Sequence, residues 1–407
     1  LNRALAGLES ENGSLDGVLE HIDFTRKVGS ARLPDEKLRE LIVHFGEHRL
    51  RTGDFEFPDL LGAAYEYLIR DFADSAGKKG GEFYTPHSVV ELLVRLLKPK
   101  AGMRICDPTV GSGGMLIECA RHIGHHPGAP LNLTLAGQEK NLGTWAICKM
   151  NMVLHGIPDA DIRKGDTIRA PQLTDGTGLM LFDRVIANPP FSLDKWGQEI
   201  AADDRFHRFA PGIPPKSKGD WAFILHMLST AVVGKGRVGV VVPHGVLFRS
   251  GAEGAIRKSV VEENLLDAVV GLPGNLFYGA GIPAALLIFD KARKHNGKGD
   301  VFFIDASREF EQGTNQNRLR PADIDTIVNT YRNRKEIAKY SHRAKYAEIV
   351  ENEFNLNIPR YVDTFEPEPE IDVAAVQREI EEIEGKLTET RKKMAGYLKE
   401  LGFSGKH

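Results

Sequence analysis

Ile105-Cys106-Asp107-Pro108-Thr109-Val110-Gly111-Ser112-Gly113-Gly114-Met115-Leu116 begins with an apolar pair, meets an acid, turns through glycines and enters the helix-compatible run Met115 to His122. That order predicts strand, loop, helix, the first unit of a doubly wound α/β sheet. Gly111 and Gly113 let the backbone approach a ligand at the carboxyl end of the strand, beside the positive end of the helix. A dinucleotide fingerprint requires a third glycine three residues after the second, and position 116 is Leu, so a nicotinamide cofactor is disfavoured. A tight strand-to-helix turn without a ligand is the plainer alternative. Asp107, placed before the glycines, suits a cationic amine.

Downstream, acids recur at strand ends. Leu133 to Ala136 runs into Gly137-Gln138-Glu139-Lys140-Asn141, where Glu139 is placed to accept from the hydroxyls of a ribose. Arg163-Lys164-Gly165-Asp166-Thr167 closes another short segment, and Asp166 could accept from the amine of an adenine ring. Taken singly, Glu139 and Asp166 also read as helix caps. The strand-like run Phe182 to Ala187 delivers Asn188-Pro189-Pro190-Phe191 to the sheet edge. Two prolines donate no backbone hydrogen bond and fix φ, which makes a stiff turn with free carbonyl oxygens. Asn188 adds a side-chain carbonyl, Pro189 a backbone carbonyl and Phe191 a stacking face, a set suited to a planar substrate amine. An Asx-type turn is the bland reading. As an ordered series, Asp107, Glu139, Asp166 and Asn188 outline a nucleoside pocket beside a substrate pocket.

Gly81-Glu82-Phe83-Tyr84-Thr85-Pro86 precedes the glycine loop, and with that loop and Asn188-Pro189-Pro190-Phe191 it resembles adenine-specific DNA methyltransferases. More narrowly, the chain resembles the modification subunit of type I restriction-modification systems, from about Leu60 to Val362. Further matches are Met150-Asn151-Met152 with His155-Gly156, Val242-Pro243-His244-Gly245-Val246-Leu247-Phe248, and Leu356-Asn357-Ile358-Pro359-Arg360-Tyr361. Thr109-Val110 departs from the small pair usual there. The resemblance implies a mostly parallel, seven-stranded, Rossmann-like methyltransferase sheet over residues 81–362. It implies S-adenosylmethionine as methyl donor, held by Phe83, Tyr84, Thr85, Pro86, Asp107, Gly111, Gly113, Glu139 and Asp166, with no metal. Catalysis falls to Asn188, Pro189, Pro190 and Phe191, acting on the N6 amine of an adenine flipped from DNA. The implied partners are DNA, a specificity subunit shared by two copies of this chain, and a restriction subunit.

Residues 1–80 read as a helical region, with Leu38, Leu41, Ile42 and Phe45 at helical spacing; the opening Leu1 suggests truncation. Residues 363–407 carry Val373, Val376, Ile380, Ile383, Leu387, Thr390, Met394, Tyr397 and Leu401 at alternating steps of three and four, a coiled-coil seam for a partner or a helix folded back on its own domain. With 407 residues and 42% apolar content the chain can bury a large core. No apolar run reaches membrane-spanning length, and Cys106, Cys119 and Cys148 lack paired spacing, which suits a reducing cytoplasm. His122, His125 and His126 lack a completing acid or thiol and read as a solvated turn. The net charge of −3 is low for a protein that binds DNA unaided. Arg205, Arg208, Lys216 and Lys218 lie in the 203–220 loop, which suits a flexible phosphate-contacting segment. Amino methylation of protein glutamine or RNA guanine and a non-catalytic scaffold remain the competing readings.

Overall fold

The computed structural model describes residues 1–20, 22–28, 31–49, 60–76, 84–125, 130–277, 281–293, 299–314, 316–364 and 373–401. These divide into two compact units, Leu1–Asp363 and Thr364–His407. The first unit opens with α1 (Asn2–Glu11), a small hairpin of β1 (Lys27–Val28) and β2 (Ala31–Arg32), α2 (Asp35–Gly46) and α3 (Leu60–Ala76). The sheet region then begins with α4 (His87–Leu97), β3 (Arg104–Asp107), α5 (Gly114–His122), β4 (Thr134–Glu139), α6 (Leu142–Leu154) and β5 (Asp161–Lys164). A small hairpin, β6 (Thr174–Asp175) with β7 (Gly178–Leu179), precedes β8 (Arg184–Ala187), α7 (Asp220–Thr230), β9 (Arg237–Pro243), α8 (Gly245–Phe248) and α9 (Ala252–Glu262). The unit closes with β10 (Leu266–Gly271), β11 (Ala284–Asp290), β12 (Val301–Asp305), α10 (Pro321–Asn333), β13 (Ser341–Ala344) and α11 (Tyr346–Glu351).

The central sheet has nine strands in the order β13-β12-β10-β11-β9-β8-β3-β4-β5. Neighbours from β5 through β4, β3 and β8 to β9 pair in parallel, as do β10 and β12, while β11 runs antiparallel to both β9 and β10. The expected seven-stranded sheet ends at β10; β12 and antiparallel β13 extend that edge to nine strands. The physical reason lies in β12, whose Phe302 and Phe303 are fully buried on opposite faces and continue the core outward.

Strand alternation divides the interior between two layers. Val241, Leu286 and Ile288 join the layer under α4 and α5, while Val240, Val242, Leu287 and Phe289 join the layer under α7 and α9. α7 is buried along nearly its whole length, so it reads as apolar all round rather than amphipathic. The arrangement also fixes where a ligand can enter. From β3 the chain crosses to β4 on one side, whereas β8 lies on the other side of β3. The loops leaving β3 and β8 diverge there and open a crevice at the carboxyl edge.

In the second unit α12 (Val373–Glu400) is a single 28-residue helix. Val376, Ile380, Ile383, Leu387, Met394 and Tyr397 are exposed along it. No helix among the described residues is long and apolar enough to cross a membrane.

Candidate active site

The crevice is lined by Tyr84, Thr85, Asp107, Thr109, Gly111, Ser112, Asn151 and Asn188, with Glu66 and Ile69 from α3. Its floor is the loop after β3. Gly111 and Gly113 hold φ values of 55° and 89°, which only glycine adopts without strain. A Cβ on Gly113 would stand 2.6 Å from Met152 Cε and 3.0 Å from Cys148 Sγ, so the loop rests directly on α6. Glu139, at the end of β4, accepts from Gly111 N at 3.1 Å with one oxygen and from Asn141 N at 2.7 Å with the other. The predicted ribose ligand therefore also fixes the glycine loop.

The acids here differ in electrostatics. Asp107 is almost wholly buried, and burial, reinforced by the charge of Glu139 and opposed by the Thr109 N–H, pushes its carboxyl up to about 8. Burial also raises Glu139, against the N–H groups of Asn141 and Gly111. At Asp166 burial is outweighed by the Arg169 and Ile168 N–H groups and by Lys140 Nζ at 2.9 Å, which together hold it below the usual carboxylate range. Glu139 and Asp166 stand outside the crevice lining, at the ends of β4 and β5; Lys140, next to Glu139, joins the two loops.

On the other side of the crevice, β8 presents Asn188. Its Nδ2 donates to Thr85 Oγ1 at 3.0 Å, while its buried Oδ1 has no hydrogen-bond partner among the described residues. In this orientation Thr85 takes the nitrogen end of the amide and the oxygen is the end left to accept. Tyr84 and Thr85 line the crevice and Pro86 caps α4; Gly81, Glu82 and Phe83 lie outside the described residues. Phe191 meets Phe277 edge to face, with ring centroids 5.9 Å apart.

The crevice contains groups that sequence reasoning missed. Asn151 is buried in α6, donates from Nδ2 to Ser112 O at 2.9 Å and leaves Oδ1 without a partner among the described residues. Its available signals were the Met150-Asn151-Met152 match, which assigned it no role, and a polar residue between buried Cys148 and Met152. Glu66 arrives from α3, with carboxylate oxygens 3.6 Å from His155 Nε2 and from Arg121 Nη2.

The loop between Phe191 and α7 departs from expectation. Arg208 is not a free phosphate ligand: its side chain is 1% exposed and pairs with Asp204 at 2.8 Å. It also donates to Thr167 O and Ile168 O, and through Nη1 to His226 Nδ1 at 3.1 Å. A guanidinium only donates, so His226 accepts there as a neutral imidazole; burial, then the Arg208 charge, hold its pKa down to about 3. Trp196 Nε1 donates to Pro215 O and Lys195 N to Lys216 O, which pins the loop on itself. Arg205 and Lys216 remain exposed, Lys218 half-buried. The histidines expected in a solvated turn are divided: His122 is exposed at the end of α5, His125 is half-buried, and His126 lies outside the described residues.

The N-6 DNA Methylase family model matches residues 56–370. The HindI methylase subunit of a type I restriction enzyme from Haemophilus influenzae is 32% identical, over 90% of this chain and 83% of that protein. The MjaVII methylase subunit from Methanocaldococcus jannaschii is 35% identical over 89% of this chain, which spans 62% of that relative's length. A solved type I restriction-modification methyltransferase subunit from Streptococcus thermophilus superimposes with a TM-score of 0.77 at 37% identity, covering 89% of this chain and 76% of that one. Its match, with the central sheet and the crevice at its carboxyl edge, gives the chain the fold of a type I restriction-modification methyltransferase subunit. The chain belongs to the N-6 DNA methylase family, with the methylase subunits of type I restriction enzymes.

Proposed function

We propose that this chain transfers a methyl group from S-adenosylmethionine to the N6 amine of an adenine flipped out of DNA, as the modification subunit of a type I restriction-modification complex. The observation that carries the reading is Asn188: its amide nitrogen is engaged by Thr85 and its buried Oδ1 is left to accept. An adenine amine is a weak nucleophile because its lone pair is delocalised into the ring. Asn188 Oδ1 and the Pro189 carbonyl hold its two hydrogens and favour the pyramidal nitrogen of the transition state, a preorganised dipole effect. Phe191 offers the base a stacking face, offsetting part of an unstacking cost of roughly a few kcal/mol.

The crevice fits the cofactor by the chemistry of its donor set. Asp107 faces the cationic methionine end with Tyr84, Thr85 and Pro86, Gly111 and Gly113 supply close backbone, Glu139 takes the ribose and Asp166 the adenine amine. Phe83 belongs to the same motif. When bound, S-adenosylmethionine supplies an already activated sulfonium methyl, so the chain's task is chiefly alignment.

Partner roles follow the same reading. The exposed stripe of α12 packs against a specificity subunit that supplies DNA recognition, two copies of this chain joining one such subunit, with a restriction subunit in the full assembly. Deleting residues 371–407 then weakens co-purification with the specificity subunit and spares cofactor binding; unchanged co-purification would refute this role of α12. The test of function is transfer of labelled methyl to unmethylated DNA, with and without a co-expressed specificity subunit, followed by nucleoside analysis. N6-methyladenine formed only with the partner supports the reading. Label in protein, in RNA or nowhere refutes it.

A further inference from the structure

We propose that Asp220 and Arg249 form a clamp that positions the Asn188-Pro189-Pro190-Phe191 turn, and that Gly245 is glycine because the clamp needs its space. The inference rests on the reading of Asn188 given above and extends the machinery to three residues remote from it in sequence.

The residue that follows the turn, Ser192, holds a left-handed φ of 53°. A serine relaxes from that region unless its surroundings hold it there. Ser192 is held at both ends: its N–H donates to Asp220 Oδ1 at 2.8 Å, and its hydroxyl accepts from Arg249 Nη2 at 3.2 Å. The two holders are joined, because Arg249 Nη1 donates to Asp220 Oδ2 at 2.9 Å. Asp220 is 4% exposed and sits at the start of α7, a helix buried along nearly its whole length. A further bond from Arg249 Nη1 to Glu253 Oε1 at 3.1 Å ties the guanidinium to α9. Arg257 fixes the arginine's backbone by donating to Arg249 O at 2.9 Å. Every member of the clamp is therefore anchored in the core while its outer end grips the residue after Phe191.

Gly245 shows that the guanidinium position matters. A Cβ built there would lie 2.5 Å from Arg249 Nε and Nη2 and 2.7 Å from Cζ. Its φ is not left-handed, so backbone conformation alone does not require glycine. The atoms it would displace are the far end of a flexible side chain, so Gly245→Ala moves the guanidinium at little cost to the fold. The Val242 to Phe248 stretch thereby acquires a role that its distance along the chain from Asn188 conceals.

The test uses the full chain with its specificity subunit and compares wild type with Gly245→Ala, Arg249→Lys and Asp220→Asn. Lysine keeps the charge but lacks the planar fork that reaches Ser192 and Asp220 together. The clamp predicts kcat falling about 10- to 100-fold in Gly245→Ala and Arg249→Lys, with KM for DNA and cofactor affinity changed by less than about two-fold. Hydrogen exchange by mass spectrometry supplies a readout independent of chemistry: the amides of residues 191–193 exchange about tenfold faster in both variants, at a Tm within about 2 °C of wild type. Asp220→Asn keeps an acceptor for Ser192 N and falls between. Wild-type kcat with wild-type exchange in Gly245→Ala overturns the clamp, whatever happens to Arg249→Lys. If wild type itself transfers no methyl, the functional reading fails, and the exchange data still decide the clamp.

Discussion

The two halves of the crevice differ in the groups they carry, and on the proposed function they hold their ligands by opposite means. After β3, β4 and β5 stand the carboxylates Asp107, Glu139 and Asp166, of which Asp107 lines the crevice, and burial pushes Asp107 up to about 8 and raises Glu139. Beyond β8 the acceptors proposed to face a ligand are a neutral amide and backbone carbonyls, with the charges of Asp220, Arg249 and Glu253 set behind them. On the proposed function the difference follows from what each half receives. A cationic cofactor repays the cost of a buried carboxylate, whereas a neutral amine needs fixed dipoles that are already aimed. Arg208 bridges the halves, joining the loop after Phe191 to Thr167 and Ile168 beside Asp166.

The largest effect expected from breaking this division is Asn188→Ala. It should cut methyl transfer about 10³-fold, or about 4 kcal/mol, in single-turnover kinetics. Next comes Arg208→Met, which strands the nearly buried Asp204 and should cost about 3 kcal/mol in urea unfolding. Because Arg208 spans both halves, that variant should lose cofactor affinity and transfer together.

Asp107 sharpens the contrast through pH. Its carboxyl lies at about 8 in the free site against an ordinary 3.8, so it is mostly protonated at neutral pH. A cation binds the ionised form, so affinity for S-adenosylmethionine should rise by up to about tenfold per pH unit below pH 8 and then level off. Calorimetry at pH 7 in buffers of different ionisation enthalpy should register close to one released proton. Asp107→Asn should weaken binding by about 10- to 30-fold and flatten the pH dependence. The smallest effect concerns His226. Its pKa is lowered from 6.5 to about 3, so the native state prefers it neutral, and stability is full above the unfolded value and lost as pH falls toward 3. His226→Gln should remove about 1 kcal/mol of that acid sensitivity between pH 6.5 and 5.5, read as a shallower decline in urea midpoint.

What the sequence revealed is what local pattern encodes. The order acid, glycines, helix places Asp107 and Gly111 in one segment, and the strand before Asn188 is an apolar run broken only by Asp183 and Arg184, so both halves of the crevice were legible. Pairings across the fold were not. Thr85 and Asn188 meet across 103 positions, and nothing near either residue announces the other. Glu66 and Asn151 enter the crevice because α3 and α6 pack together, which periodicity alone does not specify. Arg208 was misread because a charge in a loop ordinarily faces water; Asp204, four residues earlier, was the overlooked partner. The two extra strands arise where an apolar run, Val301 to Ile304, continues a core that was expected to end earlier.

The most direct test measures S-adenosylmethionine binding by calorimetry and single-turnover transfer by label incorporation on the same preparations of Asn188→Ala and Asp107→Asn, in complex with the specificity subunit. A crossed result is expected. Asn188→Ala binds cofactor as wild type does and fails to transfer, whereas Asp107→Asn binds weakly and recovers transfer at saturating cofactor. Parallel loss of binding and transfer in Asn188→Ala would contradict the division between the two halves.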